Sequence, residues 1–230
     1  MKGSISDILK IVIDNPKPVI FIDTCALLDI VRAPIREDIP AENIAASIDL
    51  YNSKDIWLIA SEIVTTEWND NVAEVERTTL NTIKSLHKNL LIFKNSVKNS
   101  PTPKKWNYNY DITSFDIEKV LKQISSKLIG KLNIINIDAD CNNKAAVRVI
   151  KGIAPSKKGK SEFKDCAIIE HYLELASRLK ANSFKNKLIF ITSNKNDYGT
   201  PFEIREPLEA EFSDNKILYV NSIMEAIKRI

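Results

Sequence analysis

Four short apolar runs stand out along the chain: Val19–Ile22, Ile56–Ile59, Leu188–Ile191 and Ile217–Val220. Each is rich in β-branched or aromatic residues and shows no alternation, the pattern of a strand buried on both faces. A weaker fifth run covers Ile134–Ile137. Between them, the spacing of apolar positions predicts helices at roughly 42–52, 63–90, 112–130, 140–150, 164–181 and 221–229. A further short helix over 5–13 is closed by the breaker Asn15-Pro16-Lys17-Pro18. Strands alternating with helices call for right-handed crossovers. The expected class is therefore α/β, with a central, mostly parallel sheet of about five strands.

In such a sheet the functional crevice lies beyond the carboxyl ends of the strands. Asp23 directly follows the first run, and Asn194 with Asp197 follows the run at 188–191. Glu67 and Asp165 fall near the starts of helices that follow loops on the same side. Taken singly, each acid reads as a helix cap or as a charge favoured by the macrodipole. Taken together they form an oxygen-rich rim suited to a hard divalent cation. Lys157, Lys158, Lys160 and Lys164 lie just ahead of Asp165. They read either as solvated loop lysines or as contacts to phosphate.

Composition narrows the classes. With 230 residues, 44% of them hydrophobic, the chain fits a single domain over 1–230, with a helical elaboration at 68–130 that is too long for one crossover. The net charge of +3 is too small to signal nucleic acid by itself. Neither GxGxxG nor GxxxxGK[ST] occurs, which argues against a phosphate-cradling glycine loop. Cys25, Cys141 and Cys166 lack CxxC spacing, and Cys25 and Cys166 read as small core residues. His87 and His171 have no partners in metal spacing and read as structural or exposed. The stretch 95–111 reads as the tip of a helical arm. Its Trp106, Tyr108 and Tyr110, beside Lys104 and Lys105, either stack bases or pack onto the body. With no signal-peptide pattern and no long apolar run, a soluble cytoplasmic protein with no membrane partner is expected.

Four segments carry a family resemblance: Phe21–Leu28, Ser61–Glu67, Lys160–Glu170 and Phe190–Tyr198. In this order and spacing the chain resembles a PIN-domain nuclease of the larger stand-alone bacterial type. The resemblance implies a Rossmann-like three-layer fold and Mg²⁺- or Mn²⁺-dependent hydrolysis of phosphodiesters, in RNA more often than DNA. By position, Asp23, Glu67 and Asp165 would be the first three acidic ligands. The fourth place usually reads Thr-x-Asp but here is Thr192-Ser193-Asn194, and Asp197 matches a further acid of the extended pattern. Asp23, Glu67, Asp165, Asn194 and Asp197 are thus the implied metal set, with the four acids among them catalytic. Lys157, Lys158, Lys160 and Lys164 would bind substrate phosphates. Thr24 and Ser193 carry hydroxyls near the proposed acids and either orient ligands or the attacking water or serve as N-cap or turn residues. Small members of the family often pair with an inhibitory protein encoded nearby, so a protein inhibitor and a homodimer both stand open as partners beside nucleic acid.

The chemistry agrees with these residue types. Magnesium prefers oxygen ligands and keeps several waters, so a few carboxylates suffice without histidine. Asparagine offers a carbonyl oxygen but no charge, and this motivates the competing reading: a PIN-like module that binds nucleic acid or protein without cutting. A haloacid-dehalogenase-like phosphatase fits poorly, because its second aspartate would stand where Cys25 does.

Overall fold

The computed structural model describes every residue of the chain except 102, 103, 105, 108 and 161. Lys105 and Tyr108, considered above for the arm tip, therefore lie outside the described residues. In chain order the strands are β1 (Lys2–Gly3), β2 (Val19–Ile22), β3 (Trp57–Ser61), β4 (Asn133–Ile135), β5 (Leu188–Ile191), β6 (Gly199–Thr200), β7 (Glu203–Ile204) and β8 (Ile217–Val220). The helices are α1 (Ile5–Asp14), α2 (Thr24–Arg32), α3 (Glu42–Asn52), α4 (Glu62–Asn99), α5 (Ile117–Lys131), α6 (Ala139–Lys151), α7 (Phe163–Ala181), α8 (Lys195–Tyr198), α9 (Leu208–Asn215) and α10 (Ile223–Arg229).

The central sheet has the order β1-β4-β3-β2-β5-β8, and every neighbouring pair in it is parallel. That makes six strands where the apolar runs predict about five. The extra strand, Lys2–Gly3, pairs with Ile134 and Ile135 at one edge. Strands β2 and β5 are interior neighbours in the sheet and are buried at every position. Helices α2, α3, α5 and α10 pack together on one face, and α1, α6, α7 and α9 on the other. No helix of the described residues is long and apolar enough to cross a membrane.

Helix α4 is the elaboration. It starts at the sheet with Ser61 as its cap, the hydroxyl accepting from the Ile63 amide, and continues well beyond the core. Its buried residues, Val64, Trp68, Val72, Val75, Thr79 and Ile83, recur at three- to four-residue spacing and stop there. The distal turns leave Leu86, Ile92 and Phe93 exposed. Trp106 packs edge-on against Phe93, with ring centroids 5.4 Å apart, so this part of the tip folds back onto its own helix.

Tyr172 of α7 stitches the sheet where it matters for function. Its hydroxyl donates to the Ile22 carbonyl at 2.6 Å and accepts from the Ser61 amide at 3.2 Å. The carboxyl ends of β2 and β3 are thereby held together under the rim.

Candidate metal centre at the carboxyl edge of the sheet

Asp23 ends β2 because it caps α2. Its Oδ1 accepts from the Thr24 amide at 2.7 Å, and the side chain is only 3% exposed. Its Oδ2 accepts from the Thr192 hydroxyl at 2.6 Å and from the Cys25 thiol at 3.0 Å. Burial raises its pKa and the neighbouring Glu67 charge adds to this, against the pull of those three donors. Cys25 is therefore not simply a core residue. It orients Asp23 and accepts from the Ser193 amide at 3.2 Å, and burial together with the Asp23 charge holds its thiol in the protonated form. Cys166, by contrast, is buried beside Ala145 and Ala167 as expected.

Glu67 lies in the second turn of α4, past the capping turn, so capping does not explain it. Thr24 donates to its Oε2 at 2.8 Å, and the Lys164 amine stands 3.5 Å from its Oε1. Thr24 thus holds an acid in place. Asp165 sits in the first turn of α7. Desolvation pushes its pKa up to about 8, with the charges of Asp23, Glu67, Asp197 and Glu162 adding to the effect. Those four carboxylates are the neighbours that make Asp165 the hub of the rim.

Asp197 is carried by α8, whose position is fixed from both sides. Tyr198 donates to the Asp165 carbonyl at 3.3 Å, and Arg205 donates to the Asn196 carbonyl at 3.2 Å. The following Gly199 (φ +85°) opens the β6–β7 hairpin so closely that a Cβ would lie 2.3 Å from the Glu203 carbonyl oxygen. Asp197 is 4% exposed, and its Oδ1 has no hydrogen-bond partner among the described residues. Asn194 donates its amide to the other oxygen of Asp197 at 2.9 Å. The residue at the fourth family position therefore orients Asp197 and leaves its own carbonyl oxygen for a ligand.

One acid was not singled out from sequence. Glu162, Asp165 and Asp197 each place a carboxylate oxygen within 4.8 Å of the others, close enough to share one cation. Nothing in the sequence pattern separates Glu162 from an ordinary loop charge in its lysine-rich surroundings. Thr192 was likewise passed over, although its hydroxyl is both a donor to Asp23 and an acceptor from the Asn194 amide.

The lysines divide. The turn Lys157–Lys160, closed by a hydrogen bond from the Lys160 amide to the Lys157 carbonyl and by Gly159 at φ +83°, sets two amines side by side. They stand 3.7 and 3.8 Å from Asp197 Oδ1, and Lys160 also pairs with Glu162. With Lys164 on Glu67, three of the four expected phosphate-binding lysines face the acids directly. Lys158 has no such partner among the described residues. Ser193 lines a separate shallow cleft with Asp29, Asn43 and Lys195, and its hydroxyl bonds to none of the acids.

His171 is structural. Its Nε2 accepts from the Asp138 amide and its Nδ1 lies 3.1 Å from the Ser61 hydroxyl, a neutral imidazole whose pKa is lowered by burial.

All the donors offered at this rim are oxygens, and the buried Oδ1 of Asp197 accepts no hydrogen bond among the described residues, its nearest cations being the two lysine amines. The set fits Mg²⁺ or Mn²⁺ better than a thiolate- or imidazole-seeking ion. A family model described as a PIN domain matches residues 20–198, a span that includes every one of these acids. No curated protein and no solved structure matches the chain. The match covers well over half of the sequence, and the chain belongs to the PIN domain family, whose members are generally nucleases.

Proposed function

We propose that this protein is a metal-dependent nuclease that hydrolyses phosphodiester bonds in single-stranded RNA, at the rim formed by Asp23, Glu67, Glu162, Asp165 and Asp197. The observation that carries this reading is the crowding itself. Five carboxylates share a partly dehydrated rim, with Asp165 held up to about 8 and one buried oxygen of Asp197 accepting no hydrogen bond among the described residues. A bare cluster of this kind is costly, and a cation removes the cost. RNA is put ahead of DNA on the strength of the family's usual substrate.

Asp165 would be shared between Asp23 and Glu67 on one side and Glu162 and Asp197 on the other. A bound Mg²⁺ or Mn²⁺ would activate a water and offset charge on the phosphoryl and leaving oxygens. The chain's own residues do the rest. Thr192 and Cys25 fix the Asp23 carboxylate, Thr24 fixes Glu67, and Asn194 fixes Asp197. Lys157, Lys160 and Lys164 screen the acids in the metal-free protein. With the acids neutralised by a cation, the amines of Lys157, Lys160 and Lys164 would be available to substrate phosphates. Lys158, unpaired, extends the same phosphate track. Such contacts position a strand without reading its sequence.

The test is direct. End-labelled single-stranded RNA and DNA are incubated with the protein in Mg²⁺, Mn²⁺ or EDTA. Cleavage is expected only with a cation, RNA faster than DNA, and not with Asp23→Asn or Asp165→Asn variants of unchanged circular dichroism. Cleavage that survives both substitutions would refute the site. RNA binding without cleavage under any cation would favour the non-cutting module that Asn194 suggests.

A further inference from the structure

At the opposite pole of the sheet, where the strands begin, a cleft of about 810 Å³ opens between α3, α5 and the start of β3. Lys17, Lys54, Lys127 and Lys131 line it with the rings of Tyr51 and Trp57, and its lining contains no aspartate or glutamate. None of the four amines is paired with a carboxylate among the described residues. Strand β3 joins the two poles. Trp57 stands at the cleft and Ser61 beneath the acidic rim, separated by roughly 13 Å of strand at about 3.3 Å per residue.

The four lysines are not equivalent. Lys131 donates to the carbonyls of Leu50, Tyr51 and Ser53, which closes the carboxyl end of α3. That is a structural role, and it uses up its donors. Lys17 donates to the Lys54 carbonyl at 2.7 Å and lies 5.7 Å above the Trp57 ring. Lys127 lies 6.0 Å above the Tyr51 ring, and neither its amine nor that of Lys54 donates to any described protein group. Two cations with spare donors, Lys54 and Lys127, thus share the cleft with two aromatic rings, and Lys127 lies over one of them. The Trp57 ring is further fixed by its indole N–H, which donates to the Asn15 carbonyl at 2.8 Å.

Gly130 adds a separate observation. It lies within α5 on the cleft wall, and a Cβ there would meet open space. A glycine inside a helix weakens it relative to alanine, and here neither packing nor a left-handed φ requires one. What its small size preserves is room in the cleft.

We propose that this cleft binds a nucleotide unit, with the phosphate held by Lys54 and Lys127 and the base laid against Tyr51 or Trp57. The volume is in the range of small-ligand sites, roughly 300–1,000 Å³. Ammonium groups with free donors suit a phosphate, and aromatic rings flanked by cations suit a base. The unit is either a free nucleotide or one residue of a nucleic-acid strand. Only the strand form rests on the nuclease reading above.

The test uses the full chain in EDTA at fixed salt, so that no cleavage intervenes. Adenosine monophosphate is titrated by calorimetry, and a labelled single-stranded RNA dodecamer by fluorescence anisotropy. A free-nucleotide site gives saturable binding of the monophosphate that weakens at least tenfold in Lys54→Ala/Lys127→Ala. A strand site gives that loss for the dodecamer alone. In either case Gly130→Gln reproduces the loss while Gly130→Ala binds as the wild type and melts no lower. Equal affinities in wild type and double variant for both probes, or no binding of either at millimolar concentration, overturn the proposal. Cation-dependent RNA cleavage by the same double variant, measured separately, keeps this outcome distinct from failure of the rim.

Discussion

Two groups of buried and half-buried acids lie on neighbouring parts of this protein, and they are built on opposite plans. Glu170 and Glu211 share one buried arginine. Arg148 donates to Glu170 at 2.5 Å, to Glu211 at 2.6 Å and to the Ala154 carbonyl at 2.6 Å. Burial works against the Arg148 charge, and the pairing with Glu211 and Glu170 more than offsets it. The cluster ties α6, α7 and α9 to the stretch leading into the lysine turn, and its counter-charge is internal, although Oε2 of Glu211 accepts no hydrogen bond among the described residues. The rim of Asp23, Glu67, Glu162, Asp165 and Asp197 has no buried cation. Among the described residues its positive neighbours are Lys157, Lys160 and Lys164, all well exposed at the ends of flexible stems. An internal arginine gives the first cluster its own counter-charge, and the lack of one at the rim among the described residues is what the proposed cation site rests on.

The largest expected effects separate the two plans most sharply. Arg148→Met leaves Glu170 and Glu211 without a counter-charge and should cost about 3–5 kcal/mol of unfolding free energy in urea titrations. Asp23→Asn should reduce cation-dependent cleavage at least about a hundredfold, with stability nearly unchanged. An Arg148 variant of normal stability would erase the contrast.

Next comes a pH effect on the metal-free protein. The folded pKa of Asp165 is raised to about 8 from 3.8, so between these values the folded state holds more protons than the unfolded one. Stability must then fall as pH rises through that window. Asp165→Asn removes the penalty. It should stabilise the EDTA-treated protein by up to about 5 kcal/mol at pH 8, and the gain should vanish towards pH 4. Thermal melts of both proteins across that range measure it, and a gain independent of pH would mean that the charge of Asp165 is not what burial penalises.

The sequence made the plan of the sheet readable because its strands lie between two helix layers, and double burial writes unbroken apolar runs such as Val19–Ile22 and Leu188–Ile191. Strand Lys2–Gly3 escaped because two residues at a sheet edge need only a backbone to pair. Helix α2 escaped for the opposite reason. Residues 26–31 are all buried, so the helix shows no polar face to betray its period. Within the rim, Asp23 and Asp165 were legible from their places at element ends. Thr192 was not, because its contribution is a contact across the fold, reaching Asp23 over 169 positions of chain. Cys25 and Glu162 stand close to rim acids in sequence, but a cysteine in an apolar run reads as core and a glutamate among lysines as a loop charge.

Smaller effects probe those contacts. Thr192→Val deletes a donor to Asp23 and should lower cleavage about tenfold, whereas Cys25→Ser, which keeps a donor at the same atom, should change it little. An equal loss in both would point to packing instead of hydrogen bonding.

The most direct measurement is Mn²⁺ binding, by calorimetry or by the electron paramagnetic resonance of free Mn²⁺, in wild type, Asp165→Asn and Glu211→Gln. The rim predicts saturable binding in the wild type, a loss of at least about tenfold in Asp165→Asn, and wild-type affinity in Glu211→Gln. Affinity that is equal in all three proteins, or lowered as much by Glu211→Gln as by Asp165→Asn, would contradict the division between an acid cluster built for structure and one built for a cation.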